Sequence, residues 1–298
     1  MADSLIRDLR RMLDEAGLHG SFLVRNLDTG EEIGIEPELE FPSASLVKIP
    51  LALATLDRIR VGSLDGASTI LVQPGRITTP GPTGLTKFRH PAQIAIDDLL
   101  YLGMCLSDNT SADVLFGLTP PAAVMAYLQQ HGLSGITVRH LLQDLVETPA
   151  ERLGPADAHL AHSLAIEAST AGRGHPVAQL DVSRANSGSA RAFVSLLQAL
   201  WRPSSVDAAV AERVRDLMSS NLMRQRLTPD FASDASRWSS KTGTLLNLRH
   251  EVGVVEHADG QAFAVAALTE SRVAAIVQPG AEALMALVAR RLRDEIRR

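Results

Sequence analysis

Ser45 and Lys48 stand three residues apart in the stretch Phe41-Pro42-Ser43-Ala44-Ser45-Leu46-Val47-Lys48, where a run of helical character begins. That spacing puts a hydroxyl and an amine on one helical face. A serine hydroxyl is a poor nucleophile until a base takes its proton. A lysine serves as that base only when burial or a neighbouring cation lowers its pKa. The positive end of a helix also favours negative charge developing near Ser45. A capping serine followed by a surface lysine has the same spacing, so the pair is weak evidence by itself. Two further triplets sharpen it: Ser107-Asp108-Asn109 ahead of a helical stretch, and Lys241-Thr242-Gly243 in a strand-like one. Each alone also reads as a helix cap or a strand end. All three arising together by chance is improbable, and together they point to acyl transfer.

The elements that must position these residues follow from periodicity. Leu5, Ile6, Leu9, Met12 and Leu13 recur at helical spacing, so residues 3–17 are predicted to form an amphipathic helix ending at Gly17. Strands are predicted at 21–27 and 31–35, joined by a turn at Asp28-Thr29-Gly30. Residues 45–60 are helical in character, and a helix-rich middle follows: 96–106, 109–117, 120–131, 189–201 and 207–224. Strands return at 238–243, 251–256 and 261–268, and a helix over 280–297 closes the chain. Strands at both ends with helices between predict an α+β fold, an antiparallel five-stranded sheet flanked by the terminal helices and joined to an all-helical lobe. The expected organisation is one domain over 1–298, with a sheet lobe from 1–40 and 235–298 and a helical lobe from 45–230. A cleft between the lobes is where a site should lie. Residues 146–185, rich in Ala, Gly, Pro and His, show little periodicity apart from a short helical stretch near 156–168.

Composition narrows the partners. The 298 residues carry 29 basic and 34 acidic side chains, a net charge of −5, with 45% apolar residues. This balance argues against a nucleic-acid surface, which wants clustered Lys and Arg. No apolar run approaches the roughly 18 residues a bilayer span needs, so no membrane partner is expected. A single cysteine, Cys105, rules out an internal disulfide and reads as a core residue in an apolar run. His159 and His162 have no accompanying ligand cluster, so neither a metal nor another cofactor is expected. The charged N-terminus lacks the apolar core of a signal peptide, which makes a cytoplasmic location the expectation.

With its three motifs in order, the chain resembles the class A β-lactamase-like serine hydrolases, relatives of the penicillin-recognising peptidases. The resemblance runs from about Phe22 to the C-terminus. It takes in Thr110-Ser111-Ala112-Asp113 and the strand Glu251-Val252-Gly253-Val254-Val255. It implies that Ser45 is the acylated nucleophile and Lys48 its base or proton relay. Ser107 would pass a proton to the leaving nitrogen, Asn109 would position Lys48 and the substrate, and Lys241 would add positive field. Thr242 and Thr244, either side of Gly243, would bind a substrate carboxylate. The N–H groups of Ser45 and Thr244 would form the oxyanion hole, where losing one donor costs about 3 kcal/mol. Arg249 reads either as a carboxylate clamp or as a strand-end ion pair.

The chain departs from this family pattern at one point. Class A enzymes hold a glutamate, in a Glu-x-x-Leu-Asn context, that directs the deacylating water. No such pentad lies between Ser107 and Lys241. Asp144, Glu147, Glu151 and Glu167 are the nearest acidic residues. Glu147 lies closest to where that loop should begin, though a solvated loop carboxylate describes it equally. The expected function is therefore a serine hydrolase acting on a small-molecule acyl substrate, with slow β-lactam hydrolysis first. Esterase or peptidase action, or a β-lactam sensor without turnover, are the alternatives.

Overall fold

A computed structural model describes residues 2–73, 84–143, 157–166, 173–203, 205–273 and 277–297. Helix α1 (Ala2–Glu15) leads into strands β1 (Leu18–Asn26), β2 (Glu32–Ile35) and β3 (Glu40–Pro42). A 3-10 turn, Ala44–Val47, runs on into α2 (Lys48–Arg60). Next come β4 (Thr69–Val72), β5 (Ala92–Ala95), α3 (Ile96–Cys105), α4 (Asn109–Leu118), α5 (Pro121–Gln130) and β6 (Ile136–Thr137). After α6 (Ala158–Ile166) follow β7 (Ser187–Ser189), α7 (Ala190–Trp201), α8 (Ala208–Ser219) and the short α9 (Thr228–Phe231). Strands β8 (Ser236–Leu245), β9 (Leu248–His257) and β10 (Ala262–Ser271) precede the closing α10 (Pro279–Ile296).

The main sheet has the order β2-β1-β10-β9-β8, antiparallel throughout, so strands from the two ends of the chain meet at β1 and β10. Alternation along the strands assigns the two faces. Phe22, Val24, Val255, Phe263, Val265 and Ala267 pack with Leu9 and Leu13 of α1 and with Met285, Val288, Ala289 and Leu292 of α10. The opposite face, including Leu23, Val252, Val254, Ala264 and Ala266, joins the core of the helical lobe. The alanines there are small, and α7 lies against β10. The five strands and terminal helices expected from the sequence are thus present, with β8 as the edge that faces the helical lobe.

Some expectations shift. The helix predicted over 207–224 stops at Ser219, because the Asn221 side chain leaves the helix to hydrogen-bond Ser240 O at 2.9 Å and Met223 O at 3.1 Å. Two minor sheets, β3-β7-β6 and β4-β5, were not anticipated, their strands being two to four residues long. The β3-β7 pair fixes the approach to the Ser45 turn. Ser43 N–H donates to Asn186 O at 2.7 Å, just ahead of β7.

Candidate active site

Ser45 sits in the turn that opens α2, with Lys48 one turn on, at the first residue of the regular helix. The preceding Ala44 has φ of +47°, a left-handed conformation that costs a non-glycine residue roughly 1–2 kcal/mol. The turn is braced from both sides. Besides the Ser43–Asn186 bond, the buried His250 donates from Nε2 to Pro42 O at 3.0 Å while Nδ1 accepts from Thr269 N–H at 3.2 Å. Burial holds the His250 pKa at about 4, so this neutral tautomer persists at physiological pH. From the sheet side, β8 presses against the turn. A Cβ on Gly243 would lie 2.9 Å from Ser43 O and 3.2 Å from Leu46 Cγ, so only glycine permits this approach.

Two lysines meet on one serine. Lys48 Nζ lies 2.6 Å from Ser107 O, 2.7 Å from Asn109 Oδ1 and 3.3 Å from Ser107 Oγ. Lys241 Nζ donates to the same Ser107 Oγ at 2.9 Å and to Thr242 O at 3.1 Å. Both side chains are buried. Burial pulls Lys48 down to about 7, against the charges of Asp108 and Asp113. It takes Lys241 well below its ordinary value too, helped by the charges of Lys48 and Arg226. A neutral Lys48 amine has two N–H groups for its two fixed carbonyl acceptors and keeps a lone pair for a hydroxyl proton. This is the state a general base requires.

Asp108, the middle residue of the second motif, holds the loop itself. It caps α4 by accepting from Thr110 N–H at 2.9 Å, and accepts from Leu85 N–H at 2.6 Å, Thr86 Oγ1 at 2.8 Å and Ser111 Oγ at 2.8 Å. Ser107, just before it, is at φ +56°, which turns its side chain and carbonyl together toward Lys48.

Behind β8 lies a second buried cation. Arg226 donates to Thr244 Oγ1 at 2.6 Å and to His250 O at 2.9 Å, and pairs with Glu282 at 3.0 Å. Its backbone N–H, with that of Leu227, donates to the buried Glu251. Glu251 also accepts from Trp238 Nε1 at 2.8 Å and Ser240 Oγ at 2.7 Å. Burial raises its pKa while these four donors oppose the rise. Thr242 Oγ1 donates to Met223 O at 2.5 Å.

Comparison with known proteins follows the same lines. A model of the beta-lactamase enzyme family matches residues 4–296. The chain belongs to this family. The beta-lactamase regulatory protein BlaB of Streptomyces cacaoi is 65% identical to it, over 99% of this chain and 98% of that one. A β-lactamase from Chitinophaga pinensis shares the fold with a TM-score of 0.78 at 17% identity, covering 98% of this chain and 99% of that one. PBP-A, in an acyl-enzyme complex with penicillin G, gives 0.75 at 17% identity over 98% and 96%.

Within this beta-lactamase family member, the structure brings Lys48, Ser107, Asn109 and Lys241 into one hydrogen-bonded cluster. It sets Gly243 against the turn that carries Ser45. Arg249 is engaged elsewhere. It donates to Leu246 O at 2.6 Å and Leu248 O at 2.7 Å, bracing the β8–β9 turn where Leu246 adopts φ of +45°. Arg226, absent from the sequence-based candidates, is the guanidinium that reaches Thr244. It follows the end of α8 in a segment without periodicity, so nothing local marks it. Glu251 and His250 were more legible, as polar residues inside an apolar strand. Glu147, with Asp144, Glu151 and Glu167, lies outside the described residues.

Proposed function

We propose that this chain is acylated at Ser45 by β-lactams and releases the acyl group slowly, serving as a β-lactam-responsive regulatory protein. The observation that carries this reading is the pair of buried lysines converging on Ser107 Oγ. Lys48, its pKa brought near neutrality, takes the Ser45 proton as Oγ bonds to the lactam carbonyl carbon. The resulting oxyanion is met by the N–H groups of Ser45 and Thr244. As the C–N bond breaks, Ser107 Oγ–H gives its proton to the leaving nitrogen and is resupplied from the amines beside it. The substrate carboxylate is received by Thr244, with Arg226 behind it, and by Thr242.

Slow release is supported by the absence of the Glu-x-x-Leu-Asn pentad. The regulatory role is supported by the name of the Streptomyces cacaoi relative, 65% identical over nearly the whole length. A turnover hydrolase is the second reading, favoured by the family itself. Intact-mass spectrometry after adding a penicillin separates the two. An adduct that persists for many minutes is expected. Rapid loss of the adduct with stoichiometric excess of hydrolysed penicillin would replace the regulatory reading with the hydrolytic one.

A further inference from the structure

Helix α4 carries two side chains one turn apart on the same face, Asn109 at its first residue and Asp113 four residues on. Asn109 Oδ1 accepts from Lys48 Nζ. Asp113 accepts two backbone donors from a distant part of the chain, Leu142 N–H at 2.7 Å on Oδ1 and Gln143 N–H at 2.9 Å on Oδ2. One carboxylate therefore clamps two successive amides with both of its oxygens. A charged acceptor makes such bonds about twice as strong as neutral ones. The clamped residues are the last described before residue 157. They are held from the other side through His140, whose Nε2 accepts from Asn186 N–H at 3.0 Å, and Asn186 in turn holds Ser43. A continuous set of bonds thus runs from the Ser45 turn, through 140–143, to the helix that holds Lys48.

The charge of Asp113 also reaches the site. The groups acting on Lys48 are Asp108 at the cap of α4 and Asp113 within it, both favouring the ammonium, with Lys241 on β8 opposing it. A neutral side chain in place of Asp113 would keep its volume but lose one of these two anions and at least one of the two amide bonds, since an amide offers a single acceptor oxygen.

We propose that Asp113 is a positioning residue for acylation, which fixes the 142–143 backbone beside the site and balances the charge of the Lys48 amine. For its kinetic readout this inference rests on acylation at Ser45; its two physical readouts do not. The sequence holds three lysines, Lys48, Lys87 and Lys241, so lysine-selective 13C labelling gives a spectrum simple enough to titrate each side chain. In Asp113→Asn, the Lys48 midpoint should fall by roughly half a unit to one unit, because an anion that favours its charged form is gone. Amide exchange at Leu142 and Gln143 should speed up at least about tenfold. Asp113→Glu should leave the midpoint near that of the native protein while still loosening the two amides, which separates charge from clamp even if the Asn variant folds poorly. In a protein that is acylated by penicillin, the rising limb of the rate–pH profile should move acid-ward with the midpoint. An unchanged midpoint in the Asn variant, or full protection of both amides, would overturn the proposal. Failure of the native protein to form any adduct would instead remove the acylation reading and leave the titration and exchange results to decide Asp113.

Discussion

Arg226 decides how Thr244 presents itself to a ligand. Because Nη2 donates to Thr244 Oγ1 at 2.6 Å, that oxygen is an acceptor on its inner side, and its own proton is free to turn outward. Thr244 is exposed while Arg226 is buried, so the guanidinium acts on a substrate carboxylate through the hydroxyl and through its field. Its fork is fully used: Thr244, the carbonyls of Gly243 and His250, and Glu282 take its donors. A lysine would keep the charge but could not reach these groups together. Arg226→Lys is therefore expected to weaken binding of a carboxylate-bearing penicillin before acylation by about tenfold, equivalent to about 1.4 kcal/mol. An uncharged ester of similar size should react at an unchanged rate. The concentration dependence of adduct formation measures both, and an equal loss for the two compounds would show that Arg226 serves the fold rather than the carboxylate.

At the scale of elements, the site is a junction of three supports. The turn before α2 carries the nucleophile, the loop before α4 carries Ser107 and Asn109, and the edge strand β8 carries Lys241 through Thr244. The turn holds a left-handed alanine, and strain of this kind persists only where the surroundings over-determine it. Here the surroundings are the β3-β7 pairing, the His250–Pro42 bond and the close passage of β8 at Gly243. A methyl group at Gly243 meets the backbone of Ser43 at 2.9 Å, so the strand or the turn must move. Small displacements of reacting groups carry large rate penalties. Gly243→Ala should slow adduct formation by roughly ten- to a hundredfold, with the circular-dichroism spectrum retained. A native rate in this variant would mean that the β8 contact does not set the position of Ser45.

Across the whole molecule, two buried clusters share one sheet, with the terminal helices on one face and the helical lobe on the other. This arrangement was legible from the sequence because the long elements repeat their apolar residues at clear periods, as in α1, α10 and the strands β8–β10. The motifs were legible because each sits at an element boundary where local chemistry is distinctive. Arg226, Asn186 and His140 were not, since they lie in irregular segments and act only through partners brought close by the fold. Arg249 misled for a related reason: a guanidinium at a strand start fits either a ligand or a turn, and the turn at Leu246 takes it. The central claim, that this assembly exists to make Ser45 a nucleophile, is tested most directly by peptide mapping of the penicillin-treated protein. The account predicts that the added mass falls on the peptide that contains Ser45 and disappears in Ser45→Ala. An adduct that persists in Ser45→Ala, or a folded native protein that takes up no penicillin at all, would contradict it.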